Sequence, residues 1–452
     1  MTSDRAAWLF VVFAALVFLM GGGSRFDIES LAPLRALASV FLAIGIWYQT
    51  ADTFRPFRWP VGLLLALAVW MGVQLIPLPH SVWSALAGRD VIAEADAAAG
   101  LGAISRPITL SPLRTMNSLA SLVVPLATLL LLALLDKDGW AKVRKVIFVA
   151  GIASALLGIA QLALRGSSGL YLYEITNADS AVGLFSNRNH NALFLNIALL
   201  FGVFELERAY ERKAKGALGL VLVGLAILAV SILLNASRAG LILLALTGLV
   251  VVVRLVVRAR AVPGKAKSRR GLVVAAAMLG LAALAVMALF AMADSIPALN
   301  RLFAQSLDDE QRIETLPTVL ALARANMVLG VGFGAFEQAF RAVEPWDWLS
   351  PHYLNQAHND WLQIVIEGGL PGVAIALVAA VLAGAVAVRT WREGRADGRF
   401  AAVTDPRWLG LLTLLMIALH SAVDYPLRTP SIMLTAAVAA GLLAYRGPRR
   451  TG

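Results

Sequence analysis

The chain has 452 residues, 59% of them hydrophobic and only 15% charged, with a mean hydropathy of +0.76. A water-soluble domain carries about 45–50% apolar and about 25% charged residues, so the composition excludes an ordinary soluble enzyme and points to a membrane protein. No cysteine is present, which excludes disulfides and thiolate metal sites. The net charge of +11 reports lipid topology, not nucleic-acid binding.

Apolar windows of about 20 residues, each long enough to cross about 30 Å of hydrocarbon as a helix, recur along the whole length. The expected fold is an all-α polytopic membrane protein of about 12 transmembrane helices with a large, partly helical periplasmic loop. The expected spans are 6–22, 32–49, 60–77, 115–135, 146–165, 190–206, 217–234, 238–256, 272–293, 360–388, 408–423 and 430–445. The first reads as a retained helix, because GGGSRFDIES after it lacks a small-residue cleavage site. Residues 1–293 then hold the first nine helices, 294–359 the large loop and 360–452 the last three. An even number of spans places both termini on one side. With a cytoplasmic N-terminus, 26 of the 39 lysines and arginines fall inside, all seven lysines among them, and this bias sets the orientation. Within the large loop, RIETLPTVLALARANMVLG reads as helical, Pro317 being compatible with a first turn.

The remaining polar residues sort onto the outer face. Arg188 and His190 in FSNRNHNALF, Arg238 in NASRAG, Arg312 in RIETL, His358 and Asn359 in HNDW, and His420, Asp424 and Arg428 come from five separate segments. Arginine offers a planar fork of donors suited to phosphate oxygens, and histidine exchanges a proton near neutral pH. A cleft built from them suits an anionic, phosphate-bearing ligand and proton transfer from an attacking hydroxyl. The competing reading of any single arginine is a lipid-headgroup anchor at a helix end. His80 reads as structural; Arg301, Arg324 and Arg341 read as solvated loop charges, and Asp308-Asp309-Glu310 as an acidic helix start. Asp136-x-Asp138 matches the acidic pair of nucleotide-sugar enzymes only over three residues, on the cytoplasmic side.

These pieces, in this order, resemble the O-antigen ligase family. They are Asn187 to His190 opening a span, Ser237-Arg238-Ala239-Gly240, Arg312-Ile-Glu-Thr-Leu316, and His358-Asn359 followed by Gly369 and Gly372, over about 190 residues. The bacterial O-antigen polymerases and O-linked protein oligosaccharyltransferases are similar. The resemblance implies an inner-membrane glycosyltransferase with both termini cytoplasmic and its site on the periplasmic face. Such an enzyme moves a glycan from a polyprenyl diphosphate carrier to an acceptor hydroxyl without cofactor, metal or nucleotide. By motif, His358 would be the catalytic base and Arg238 and Arg312 would hold the diphosphate. Arg188, His190, Asn359 and Arg428 are further expected substrate contacts, Arg188 and His190 alternatively only holding their loop. HSAVDYPLRTP, with His420, Asp424 and Arg428, departs from the family's core pattern and leaves the acceptor in question. A lipid A-core acceptor makes the protein a ligase, a second carrier-linked glycan makes it a polymerase, and a protein acceptor makes it an oligosaccharyltransferase. A lipid or sugar transporter is the rival from another class. It should bury ionisable groups at the midplane of repeated halves, whereas these spans are nearly charge-free.

Overall fold

A computed structural model describes residues 1–164, 168–178, 180–260, 307–348, 354–396 and 405–445. Its principal helices are α1 (Ser3–Met20), α2 (Leu31–Trp47), α3 (Arg58–Gln74), α4 (Pro112–Ser121), α5 (Val123–Leu132), α6 (Lys137–Ala163) and α7 (Arg188–Glu211). They continue with α8 (Lys215–Asn235), α9 (Arg238–Arg260), α10 (Leu307–Ala325), α11 (Phe336–Arg341), α12 (Asp360–Ala396), α13 (Pro406–His420) and α14 (Pro430–Ala444). Among the described residues five helical stretches are long and apolar enough to cross a membrane: α1, α4 with α5, α6, α8 and most of α12. Shorter apolar helices are α2, α3, α13 and α14. The expected span at 272–293 lies outside the described residues.

Local chemistry places several of the boundaries. The Asp136 side chain accepts from the backbone N–H of Asp138 and Gly139, an N-cap that satisfies donors a helix start leaves orphaned. Helix α6 therefore begins at Lys137, nine residues before the expected span at 146, and the basic KDGWAKVRK segment is its first turns. The expected span 115–135 breaks into α4 and α5 at Leu122. Pro125 supplies no N–H to carry a helical hydrogen bond back across that point. An all-α reading misses one short pairing in the loop between α3 and α4. Pro77–Leu78 pairs antiparallel with Arg106–Pro107, which gives partners to backbone that would otherwise be left without them, and the buried Trp83 indole donates to the Pro107 carbonyl at 3.0 Å.

Helix α7 is the bundle's axis. From His190 to Phe204 its side chains are buried almost without interruption, as expected of a helix apolar all round, and α6, α8 and α9 pack against it. At the α6 crossing a Cβ on Gly151 would lie 2.1 Å from that of Ala198, so only glycine allows the two helices to approach so closely.

The two ends of the bundle differ. At one end Ser3 accepts from the Asp136 N–H, Lys142 pairs with Asp4, Arg144 with Glu205, Arg254 with Glu207 and Arg407 with Glu393. Trp140 packs on Tyr445 there, so the start of α1 and the end of α14 share this end. At the other end Ser186 and Ser431 donate backbone N–H groups to Gly22 and Gly21, and the polar residues singled out above gather. The large-loop helices α10 and α11 fold back onto the start of α12 through Val319, Leu322, Phe336, Phe340 and Ile366.

Candidate active site

His358 lies two residues before the start of α12 with φ of +49°, a left-handed conformation costly for a residue with a side chain and found mostly where surrounding structure enforces it. The enforcement is visible in the next three residues. Asn359 caps α12 by accepting from the Leu362 N–H at 3.1 Å and donates to the Ala422 carbonyl at 2.9 Å. The Asp360 N–H donates to the Ser421 carbonyl at 2.8 Å, and its carboxylate accepts from the Ser421 hydroxyl at 3.0 Å. The Trp361 indole donates to the Ala418 carbonyl. The mouth of α12 is thus fastened to the end of α13 and the turn that follows it.

That turn presents Asp424, which is 1% exposed. Its Oδ1 lies 3.8 Å from His358 Nδ1 and 3.8 Å from His190 Nε2, so one carboxylate oxygen faces two imidazoles. Its Oδ2 accepts from the Asn189 amide at 2.9 Å. The Tyr425 ring stands edge-on between the two imidazoles, with centroids 4.9 Å from His358 and 5.3 Å from His190. Nδ1 of His190 meets the Thr429 hydroxyl at 3.0 Å. Burial works against ionisation of Asp424, but the imidazoles of His190 and His358 outweigh it and hold its pKa well below the usual carboxylate range.

The same turn is anchored a second time. Arg428 donates to Glu367 Oε2 at 2.7 Å and lies 4.0 Å from Asp360. Glu367 is fully buried two turns into α12, its other oxygen accepting from the Gln363 amide and the Phe336 N–H. Two residues on, Gly369 has φ of +59° and ψ of −162° inside the helix. A Cβ there would come within 2.7 Å of Gly330 N and Val328 O. The glycine-rich signature after the histidine is thus a break in α12, through which the backbone after α10 presses closely enough for Met327 O to accept from the Leu370 N–H at 2.7 Å.

Of the other sequence-predicted residues, Arg238 stands exposed on the first turn of α9. The preceding Ser237 donates to Asn189 at 2.8 Å, so the S-R-x-G turn joins Asp424 through Asn189. Arg188 is half-buried at the start of α7, its backbone held by Asn177 and Asn235. His420 is buried in the last turn of α13. The backbone of Arg312 belongs to α10, while its side chain, like those of Asp308, Asp309 and Glu310, lies outside the described residues. Sequence reasoning misses Asn189, Asp360, Glu367 and Ser421 as parts of this network. The signal for Glu367 is present, since an ionisable residue deep in an apolar run is expensive unless it has a partner.

Beside the network runs a groove of about 1520 Å³. Arg25, Arg35, Arg114, Asp360 and Arg428 line it near the His358 end, and apolar residues such as Leu64, Leu67, Met71, Ile375, Ala379 and Leu414 line its length. Helix α12, which lines it through Ile375, Ala376, Ala379 and Ala383, also exposes Leu377 by 60% and Val381 by 70%. The arrangement can hold an amphiphile: an apolar chain along the helices and an anionic head among the arginines at its end.

No curated protein matches the chain. A family model does, from the middle of α8 to the middle of α12. It takes in Arg238, Arg312, His358, Gly369 and Gly372, and it leaves outside the half of the network supplied by His190, Asp424 and Arg428. Residues 223–377 match the model of the O-antigen ligase (Wzy_C) family.

Proposed function

We propose that this protein is a bacterial inner-membrane glycosyltransferase that moves a glycan from a polyprenyl diphosphate carrier to an acceptor hydroxyl on the periplasmic face. The favoured reaction is attachment of O-antigen to lipid A-core; joining of repeat units by the same chemistry is the second reading. The observation that carries the proposal is His358, held by a strained backbone against the buried Asp424 beside an amphiphile-sized groove.

In this mechanism Asp424 orients the imidazole through its Nδ1 side, leaving Nε2 to take the proton of the acceptor hydroxyl. The hydroxyl oxygen bonds to the anomeric carbon as the bond from that carbon to the diphosphate breaks, and the diphosphate departs with the electron pair. Attack opposite the leaving group inverts the anomeric configuration. Negative charge grows on the diphosphate in the transition state, where the guanidinium groups of Arg238 and Arg312 stabilise it most. His190 shares Asp424 with His358 and holds the carboxylate in place, and Arg428 fixes the turn that presents it. Arg188 and Asn359 complete the proposed substrate-facing rim. The polyprenyl chain lies in the groove and stays in contact with lipid while its head reacts.

The test is glycan transfer by purified wild type and His358→Ala with a carrier-linked donor. Loss of transfer with donor binding retained supports the role of His358, and wild-type turnover by the variant removes it. A deletion strain separates the acceptors. Carrier-linked polymer that no longer reaches lipid A indicates ligation, and chains of a single repeat unit indicate polymerisation.

A further inference from the structure

Resting on that reading, we infer that the groove carries a second phosphate subsite, centred on Arg35, which holds the phosphate of a lipid-borne acceptor. Arg35 lies on the second turn of α2 and is half-buried. Its guanidinium donates to Asn117 Oδ1 on α4 at 2.6 Å, and among the described residues no carboxylate pairs with it. Two more guanidiniums line the same mouth. Arg114 is held by Glu337 at 2.6 Å and stacks over Phe26 at 4.2 Å, and Arg25 pairs with Asp27 at 2.7 Å.

Of these three guanidiniums, from three separate elements, Arg25 and Arg114 are paired with carboxylates, and Glu337 also pairs with Arg341. Among the described residues, Arg35 is the one of the three whose charge meets a neutral partner, Asn117. Arg35, Asn117 and Ser118 all line the groove, and the hydrogen bond to Asn117 uses one of the five Arg35 N–H groups. A tetrahedral phosphate can accept from several such donors at once, which a simple headgroup anchor pointing out into the interface does not require. The apolar walls below the cluster demand an amphiphile. Arg25, Arg35, Arg114 and Asn117 all lie outside the segment 223–377 that matches the O-antigen ligase model. Transfer between two lipid-borne substrates needs two anionic heads held on one membrane face, one for the donor and one for the acceptor. The Arg35 cluster supplies the second.

The experiment uses the full chain in nanodiscs of phosphatidylcholine, with polyprenyl monophosphate and the corresponding polyprenol as probes and native mass spectrometry counting bound lipid. Wild type should hold two polyprenyl monophosphates, Arg35→Gln one and Arg35→Lys a weakened second, with the polyprenol bound at least tenfold more weakly throughout. Equal stoichiometry in wild type and Arg35→Gln overturns the subsite. So does loss of the Arg35-dependent molecule when the nanodiscs contain phosphatidylglycerol, because the side chain is then an anchor for bulk anionic lipid. Thermal stability of Arg35→Gln equal to wild type excludes misfolding as the cause of a lost site. Glycan transfer measured on the same samples separates the two claims: absence of transfer by wild type defeats the proposed function, whereas transfer with Arg35-independent stoichiometry defeats only the second subsite.

Discussion

The ion pair between Arg428 and Glu367 is the most exposed joint of the proposed mechanism, because it fastens the turn carrying Asp424 to the helix that His358 precedes. At 2.7 Å, two unit charges attract by about 6 kcal/mol at an effective dielectric of about 20, before desolvation is subtracted. Removing one partner of a buried pair typically costs about 3–5 kcal/mol, since the other charge is left uncompensated. Glu367 is 1% exposed at its side chain but retains Gln363 at 3.0 Å and the Phe336 N–H at 3.2 Å, so the lower end of that range, about 3 kcal/mol, is expected for Arg428→Met. Glu367→Gln combined with Arg428→Met removes both charges and should recover at least about 1.5 kcal/mol relative to additivity. Unfolding of the four proteins of this cycle in mild detergent measures the coupling, and glycan transfer by the same samples should fall in the single Arg428 variant. A coupling below about 0.5 kcal/mol would falsify the assignment of this pair as the clamp on the turn.

Gly369→Ala should destabilise the protein by about 1–3 kcal/mol from backbone strain alone, with a further cost from the 2.7 Å approach to Gly330; a melting temperature equal to wild type would show that α12 does not need its break. Asp424 has its folded pKa held below the unfolded value of about 3.9. Its stabilising contribution is therefore complete above about pH 4 and lost as pH falls through the folded value. Thermal stability should decline below about pH 4 in wild type and less steeply in Asp424→Asn, and parallel profiles would count against the buried carboxylate. Arg238→Lys keeps the charge and loses the fork, so transfer should drop at least tenfold in a radiolabelled-donor assay; full activity would make Arg238 a lipid anchor. Transfer should also survive EDTA, and strict dependence on added magnesium would shift attention to Asp308, Asp309 and Glu310.

The helices themselves are legible in the sequence because their signal is one-dimensional. Runs such as Ala6 to Met20 and Ala217 to Leu234 are too apolar and too long to do anything but bury themselves. The position of His358, Asn359, Gly369 and Gly372 in order is likewise a property of the string. Caps are less visible. Asp136 reads as half of an acidic pair, yet it is an N-cap that draws the basic segment into α6. What the string does not hold is the meeting of residues far apart along it. Asp424 belongs to a segment that departs from the ligase pattern, yet it closes on His190 and His358 across 234 and 66 residues. Glu367 passes unnoticed in an apolar span until Arg428 reaches it. Such pairings depend on which helices pack side by side and on burial deep enough to make an unpaired charge costly, and neither is encoded in the periodicity of any one segment. Hydropathy determined that the chain folds as apolar helices; tertiary packing decided which of its few polar groups face one another, because only there does desolvation force each of them to find a partner.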